Sequence, residues 1–218
     1  LLLIIIIEAE VMNMDGQFKD AALILVDIQN DFCPGGALAV TEGDEIIATV
    51  NRLMPRFSLV VSTQDWHPAD HISFKEQGGP WPPHCVQGTT GAELHPALDT
   101  STVVNYFRKA SSPDKDAYSE FEGVDEKGRA LDEFLKNSRV KKVYVVGLAT
   151  DYCVKATVLD ALKLGYEVFA VTDAMRAVNV NSDDGAKALS EMERNGAHLI
   201  TSDEILERSD PASAGALR

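Results

Sequence analysis

The sequence predicts an α/β protein, a three-layer α/β/α domain on a six-stranded, mainly parallel sheet. Short apolar runs of strand length alternate with stretches whose apolar residues recur at helical spacing, the signature of strands joined by crossover helices. No linker divides the 218 residues, a length suited to one large domain with its own core. Ala21 to Ile28 (AALILVDI) reads as a buried strand. Ile46, Ile47, Val50, Leu53 and Met54 follow helical spacing, with Pro55 as the stop. Leu59 to Thr63 and Thr102 to Phe107 read as the second and third strands, and Ala130 to Leu135 lies in a second helix. Lys142 to Leu148 is a fourth strand, followed at once by a helix through Leu164 that Gly165 ends. Tyr166 to Thr172 is the fifth strand, Ala186 to Arg194 a helix, and Ala197 to Thr201 a short sixth strand.

The domain is read as residues 20–218, with residues 1–19 an N-terminal extension of unassigned role. Leu1 to Ile7 is wholly apolar. It is too short for a bilayer, which needs ~20 residues, and it lacks the basic start of a secretory signal. It is read as a packed extra strand or helix. The formal net charge of −14 argues against a nucleic-acid partner and against docking on an anionic membrane. Three scattered cysteines, Cys33, Cys85 and Cys153, make no disulfide framework and suit a reducing compartment, the cytoplasm.

Sites in open α/β sheets form at the carboxyl ends of the strands. Asp27, Asp65, Lys109 and Cys153 each end or follow a strand. Cys153 stands between a strand and a helix, where unpaired amides are expected to lower a thiol pKa and hold an oxyanion; the alternative is a small buried hydrophobe. Asp27 closes an apolar strand, where burial would raise its pKa and make it a better proton acceptor; the alternative is an N-cap or a structural ion pair. Of Arg108 and Lys109, one should point into the site and the other away.

The stretch from Gln64 to Asp99 breaks the pattern, and a loop of that length is usually functional. It holds Asp65-Trp66-His67, His71, His84 and His95, four of the chain's five histidines. Carboxylate and imidazole donors suit zinc, iron or manganese. Cys85 is not expected to join them, since its side chain should point away from that of His84.

The segments Asp27-Ile28-Gln29-Asn30-Asp31-Phe32, Asp65-Trp66-His67-Pro68, Trp81-Pro82-Pro83-His84-Cys85 and Ala149 to Cys153 resemble, in order, those of the nicotinamidases and pyrazinamidases, members of the isochorismatase-like cysteine hydrolases. The resemblance covers nearly all of the chain after its first ~20 residues. It implies the six-stranded sheet, a triad of Asp27, Lys109 and Cys153, and metal ligands Asp65, His67 and His84, with His71 as a candidate fourth. It also implies a cis peptide at Leu148-Ala149, an oxyanion hole from the amides of Ala149 and Cys153, and aromatic walls from Phe32, Trp81 and Tyr118. The implied activity is hydrolysis of nicotinamide to nicotinate and ammonia through a Cys thioester. One divalent ion, zinc ahead of iron or manganese, would orient the pyridine ring. A homo-oligomer is left open. Ala110 stands where many relatives carry Gly. Three rival readings keep parts of this set: another amidase or isochorismatase-type hydrolase, a metallohydrolase in which Cys153 is incidental, and a binding protein on the same fold.

Overall fold

The structure is a computed structural model that describes Phe18 and residues 20–208. The apolar run of residues 1–7 and the rest of the extension read from the sequence, Phe18 excepted, lie outside the described residues.

Six strands form one sheet: β1 (Ala21–Val26), β2 (Val60–Asp65), β3 (Val103–Lys109), β4 (Lys142–Leu148), β5 (Glu167–Arg176) and β6 (His198–Ile200). The order is β3-β2-β1-β4-β5-β6, and all five pairings are parallel. The helices are α1 (Ile46–Leu53), α2 (Leu131–Asn137), α3 (Lys155–Lys163), α4 (Asp184–Arg194) and α5 (Ser202–Arg208). Alternate side chains of a strand point to opposite faces, so a sheet covered on both sides needs apolar residues at every position. Strand β1 meets that demand, being buried along its whole length. Leu23 and Leu25 pack with Ile46, Val50 and Leu53 of α1 and Ile205 of α5. Ala22, Ile24 and Val26 pack on the other face with Leu131 and Leu135 of α2, Val158 of α3 and Met192 of α4. Each such Leu or Ile, fully withdrawn from water, contributes roughly 1.5–3 kcal/mol.

The boundaries differ from the sequence reading where the site lies. Strand β1 stops at Val26 because Asp27 turns the chain with a φ of 47°, a left-handed value uncommon outside glycine. Strands β2 and β3 run on to Asp65 and Lys109, which pair in register. The helix after β4 does not start at once: Thr150–Val154 first makes a π-helical turn, a form frequent at functional sites. Helix α5 escaped the sequence reading, its seven residues being too short for a clear period. Gly147 in β4 lies against β1, where a Cβ would fall 2.0 Å from the carbonyl oxygen of Val26, so only glycine fits. No helix among the described residues is long and apolar enough to cross a membrane.

Candidate active site

The sheet order reverses between β1 and β4, leaving a crevice at their carboxyl ends. Asp27 leaves β1 there, and Ala149 to Cys153 leave β4. Asp65 and Lys109, the last residues of β2 and β3, point to the same side. Lys109 is the inward member of its pair, at 1% exposure. Arg108 faces the other way, its guanidinium 3.9 Å from the ring centroid of Trp66.

The Lys109 ammonium is the centre of a buried cluster. It donates to Asp27 Oδ2 at 2.7 Å and to Asp65 Oδ1, and lies 3.6 Å from Cys153 Sγ and 3.4 Å from Glu120 Oε1. One oxygen each of Asp27 and Asp65 and the Cys153 sulfur lie within 4.8 Å of one another. Thr63 Oγ1 holds Asp27 Oδ1 at 3.2 Å. Burial opposes the charge on Lys109, but Asp27, Asp65, Cys153 and Glu120 together push its pKa well above the ordinary lysine value. Burial raises Asp27, and the nearby ammonium only partly offsets it. Burial also opposes the charge on Asp65, where Lys109 and His67 prevail and hold it well below the carboxylate range.

Cys153 corrects one sequence expectation. Burial pushes its thiol well above the free value; Lys109 pulls it down, while Asp27, Asp65 and Glu120 push it further up. Burial and the surrounding carboxylates thus favour the protonated thiol, against the lowering expected from helix position.

At the other end of the cluster stand two histidines. One ligand atom from each of Asp65, His67 and His84 lies within 4.8 Å of the others, and all three residues are buried. His84 Nδ1 donates to the Pro82 carbonyl at 2.8 Å, which leaves Nε2 as an acceptor. Both ring nitrogens of His67 are buried with no hydrogen-bond partner among the described residues. An orphaned imidazole in a closed interior is what a metal ligand looks like before its ion is counted, so the residues fit the group. His71 differs. Its Nδ1 takes the Ser73 amide (3.3 Å) and hydroxyl (2.7 Å), and its Nε2 donates to the Lys115 carbonyl at 3.1 Å. Both nitrogens have protein partners, and the His71 ring packs against that of His67 at 4.2 Å between centroids.

The local sequence explains how these groups are held. Gln29, fully buried, donates from Nε2 to the Asp65 carbonyl (2.8 Å) and accepts the Asp65 amide on Oε1 (2.9 Å). Asp31 accepts the Cys85 amide at 2.7 Å and so fixes the chain beside His84. Asp151 accepts the amides of Val178 and Asn179, each at 2.9 Å, drawing that loop over the site. Ala110, with a φ of 51°, makes the left-handed turn after Lys109 that glycine would make without strain. The peptide Leu148-Ala149 is cis.

A cleft of about 380 Å³ opens here, lined by Phe32, Leu38, Asp65, Trp81, His84, Tyr118, Ala149, Tyr152, Cys153 and Val178. Trp81 Nε1 donates to the Tyr118 hydroxyl at 3.0 Å, and Tyr152 packs edge-on to Trp81 at 5.1 Å. Every wall and oxyanion residue named from the sequence borders this cleft. Tyr152, Val178 and Leu38 were missed, as was Glu120, which the sequence could not separate from its exposed neighbour Glu122. A larger open groove of about 1480 Å³ lies along Gln64, Trp66 and Arg108, the chain neighbours of Asp65 and Lys109. It holds neither the thiol nor the histidine pair, and its size does not make it the reaction site.

An isochorismatase domain model matches residues 21–204. The nicotinamidase of Escherichia coli is 46% identical over 83% of this chain and 94% of its own. The nicotinamidase/pyrazinamidase of Mycobacterium tuberculosis is 42% identical, over 83% of this chain and 98% of its own. Among solved structures, the pyrazinamidase of Pyrococcus horikoshii in complex with zinc is 48% identical, with a TM-score of 0.75 over 84% of this chain and 99% of that one.

Proposed function

The chain belongs to the isochorismatase domain family, and from that premise we infer that it is a nicotinamidase, hydrolysing nicotinamide to nicotinate and ammonia. The observation that carries the reading is that Asp65, His84 and Cys153 line one cleft, with the ammonium-held carboxylate at the sulfur end. Phe32, Trp81 and Tyr118 are placed to wall an aromatic ring. A divalent cation on Asp65, His67 and His84 would supply a Lewis-acid anchor for the ring nitrogen; one oxygen and two nitrogen donors favour zinc.

Burial favours the thiol form of Cys153, so the reaction starts with a proton transfer. Asp27, raised by burial, is a better base than an exposed carboxylate, which narrows its gap to the thiol. It takes the Cys153 proton as the sulfur attacks the carboxamide carbon, while Lys109 keeps the charge of the pair balanced. The carbonyl electrons move onto oxygen, which the amides of Ala149 and Cys153 receive. Asp27 passes the proton to the amide nitrogen, the C–N bond breaks, and ammonia leaves a thioester. Water then attacks, Asp27 again taking a proton, and nicotinate departs as the thiol is restored.

The test is ammonia release from nicotinamide, with and without chelator, beside a panel of other amides and an isochorismate-type substrate. Chelator-sensitive release from nicotinamide is expected. Turnover of the panel without turnover of nicotinamide would move the assignment to another hydrolase on this scaffold.

A further inference from the structure

Three carboxyl groups and a thiol surround one ammonium in a buried cluster. Asp27, Glu120 and Lys109 are each no more than 1% exposed, and Asp65 is 5% exposed. Asp27 and Glu120 share the Lys109 ammonium, at 2.7 and 3.4 Å, and two buried carboxylates on one ammonium favour a proton on one of them. Asp65 accepts from Lys109, stands beside His67 and belongs to the ligand group. Asp27 has Thr63 and Lys109 as donors. Glu120 has the least support for a charge. Its nearest cation is Lys109 at 3.4 Å, and neither of its oxygens accepts a hydrogen bond among the described residues. Burial and the charge of Asp27 favour its neutral form. A neutral carboxyl is a donor, and Asp27, held on the same ammonium, is the carboxylate within its neighbourhood. The backbone holds Glu120 in place, its amide donating to Thr157 Oγ1 of α3 at 3.1 Å.

We propose that Glu120 is a positioning residue for the amide hydrolysis: its carboxyl O–H donates to Asp27 and, with Thr63 and Lys109, leaves the remaining free direction of that carboxylate aimed at the Cys153 thiol. This rests on the amidase reading above. Glu120 does not line the cleft, so its effect belongs to the chemical step and not to ring binding. The same donor serves both halves of the reaction, because Asp27 is the base in each.

The test compares Glu120→Gln with Glu120→Ala and Glu120→Leu, the leucine filling the space without a donor. Wild-type ammonia release from nicotinamide decides the amidase reading; the variant-to-wild-type ratios decide this one. Gln keeps an N–H for Asp27 and should hold kcat within about threefold. Ala and Leu should lower kcat about 10- to 100-fold, as for one hydrogen bond to a charged acceptor. KM and bound metal per chain should stay within about twofold of wild type. Wild-type kcat in both Ala and Leu variants would overturn the proposal. So would a Gln variant as damaged as they are, since ionisation of the carboxyl would then be what matters. If Ala and Leu variants fail to fold while Gln folds with wild-type kcat and melting temperature, the role is structural and the proposal falls.

Discussion

Gln29→Leu separates the support of the metal site from the site itself. Gln29 reaches no substrate and is not a ligand, yet its side chain holds both backbone groups of Asp65 and also donates to the Ala92 carbonyl at 2.9 Å. The Ala92 carbonyl keeps a partner after the change, because Gln64 Nε2 also donates to it at 2.9 Å. The Asp65 N–H and C=O do not, and an orphaned buried group costs ~1–3 kcal/mol. Two such groups, partly offset by the favourable burial of leucine, give a net loss of about 2–4 kcal/mol. That is large against the ~5–15 kcal/mol of a typical domain but leaves it folded. Releasing the Asp65 backbone also loosens its carboxylate, and outer-shell changes of this kind cost about 10- to 100-fold in metal affinity. Urea unfolding in chelator reads the first effect, and competition with a zinc indicator reads the second. Each tenfold loss of affinity removes about 1.4 kcal/mol of the stabilisation that saturating metal confers. An unchanged urea midpoint in chelator refutes the hydrogen-bond account. A lowered midpoint with unchanged zinc affinity refutes the coupling between Gln29 and the ligands.

Cys153→Ala should abolish ammonia release while a pyridine ligand still binds; retained turnover would remove the thiol from the mechanism. His67→Ala should lose bound metal and raise KM steeply, measured as metal per chain and as nicotinamide saturation, with unchanged metal content counting against the ligand set. Asp27→Asn should be inactive across neutral pH. In the wild type, the base works only when deprotonated and burial raises its pKa, so kcat/KM should fall with decreasing pH through a value above the ~3.9 of a free aspartate. An acid limb at or below that value would show that another group is being titrated. Asp151→Ala frees the amides of Val178 and Asn179 that it holds; it should raise KM several-fold with metal content intact, and an unaltered KM would remove that loop from the binding wall.

The fold was legible because both faces of the sheet are covered, which forces β1 and β4 into unbroken apolar runs. Helix α5 was not, since its seven residues are fastened by Asp173, which accepts the Ser202 amide at 2.8 Å, and not by a long apolar stripe. The residues of the buried cluster were legible as polar residues at the ends of apolar strands. Glu120 was not, because it reaches the ammonium from a short turn between β3 and α2, where no period distinguishes an inward glutamate from an outward one. The upward push on the thiol was not legible for a related reason. Helix position can be seen in a sequence, but the crowd of carboxylates around the sulfur exists only once β1, β2, β3 and the Glu120 turn converge.

That convergence depends on strand parity. Asp65 and Lys109 face the site because β2 and β3 pair Asp65 with Lys109 and Gln64 with Arg108. A slip of one residue in β3 would turn Lys109 outward and bring Arg108 in. A guanidinium stays charged but is planar and bulkier, and it could not stand at once within donor range of Asp27, Asp65 and the sulfur as a single ammonium does. The stacking of Arg108 on Trp66 works against that slip from the other face, since it engages the outward basic residue in the register that turns Lys109 inward. Two adjacent basic residues thus divide the labour: the outer one helps hold the register, and the inner one organises the charge on which the proton transfers run.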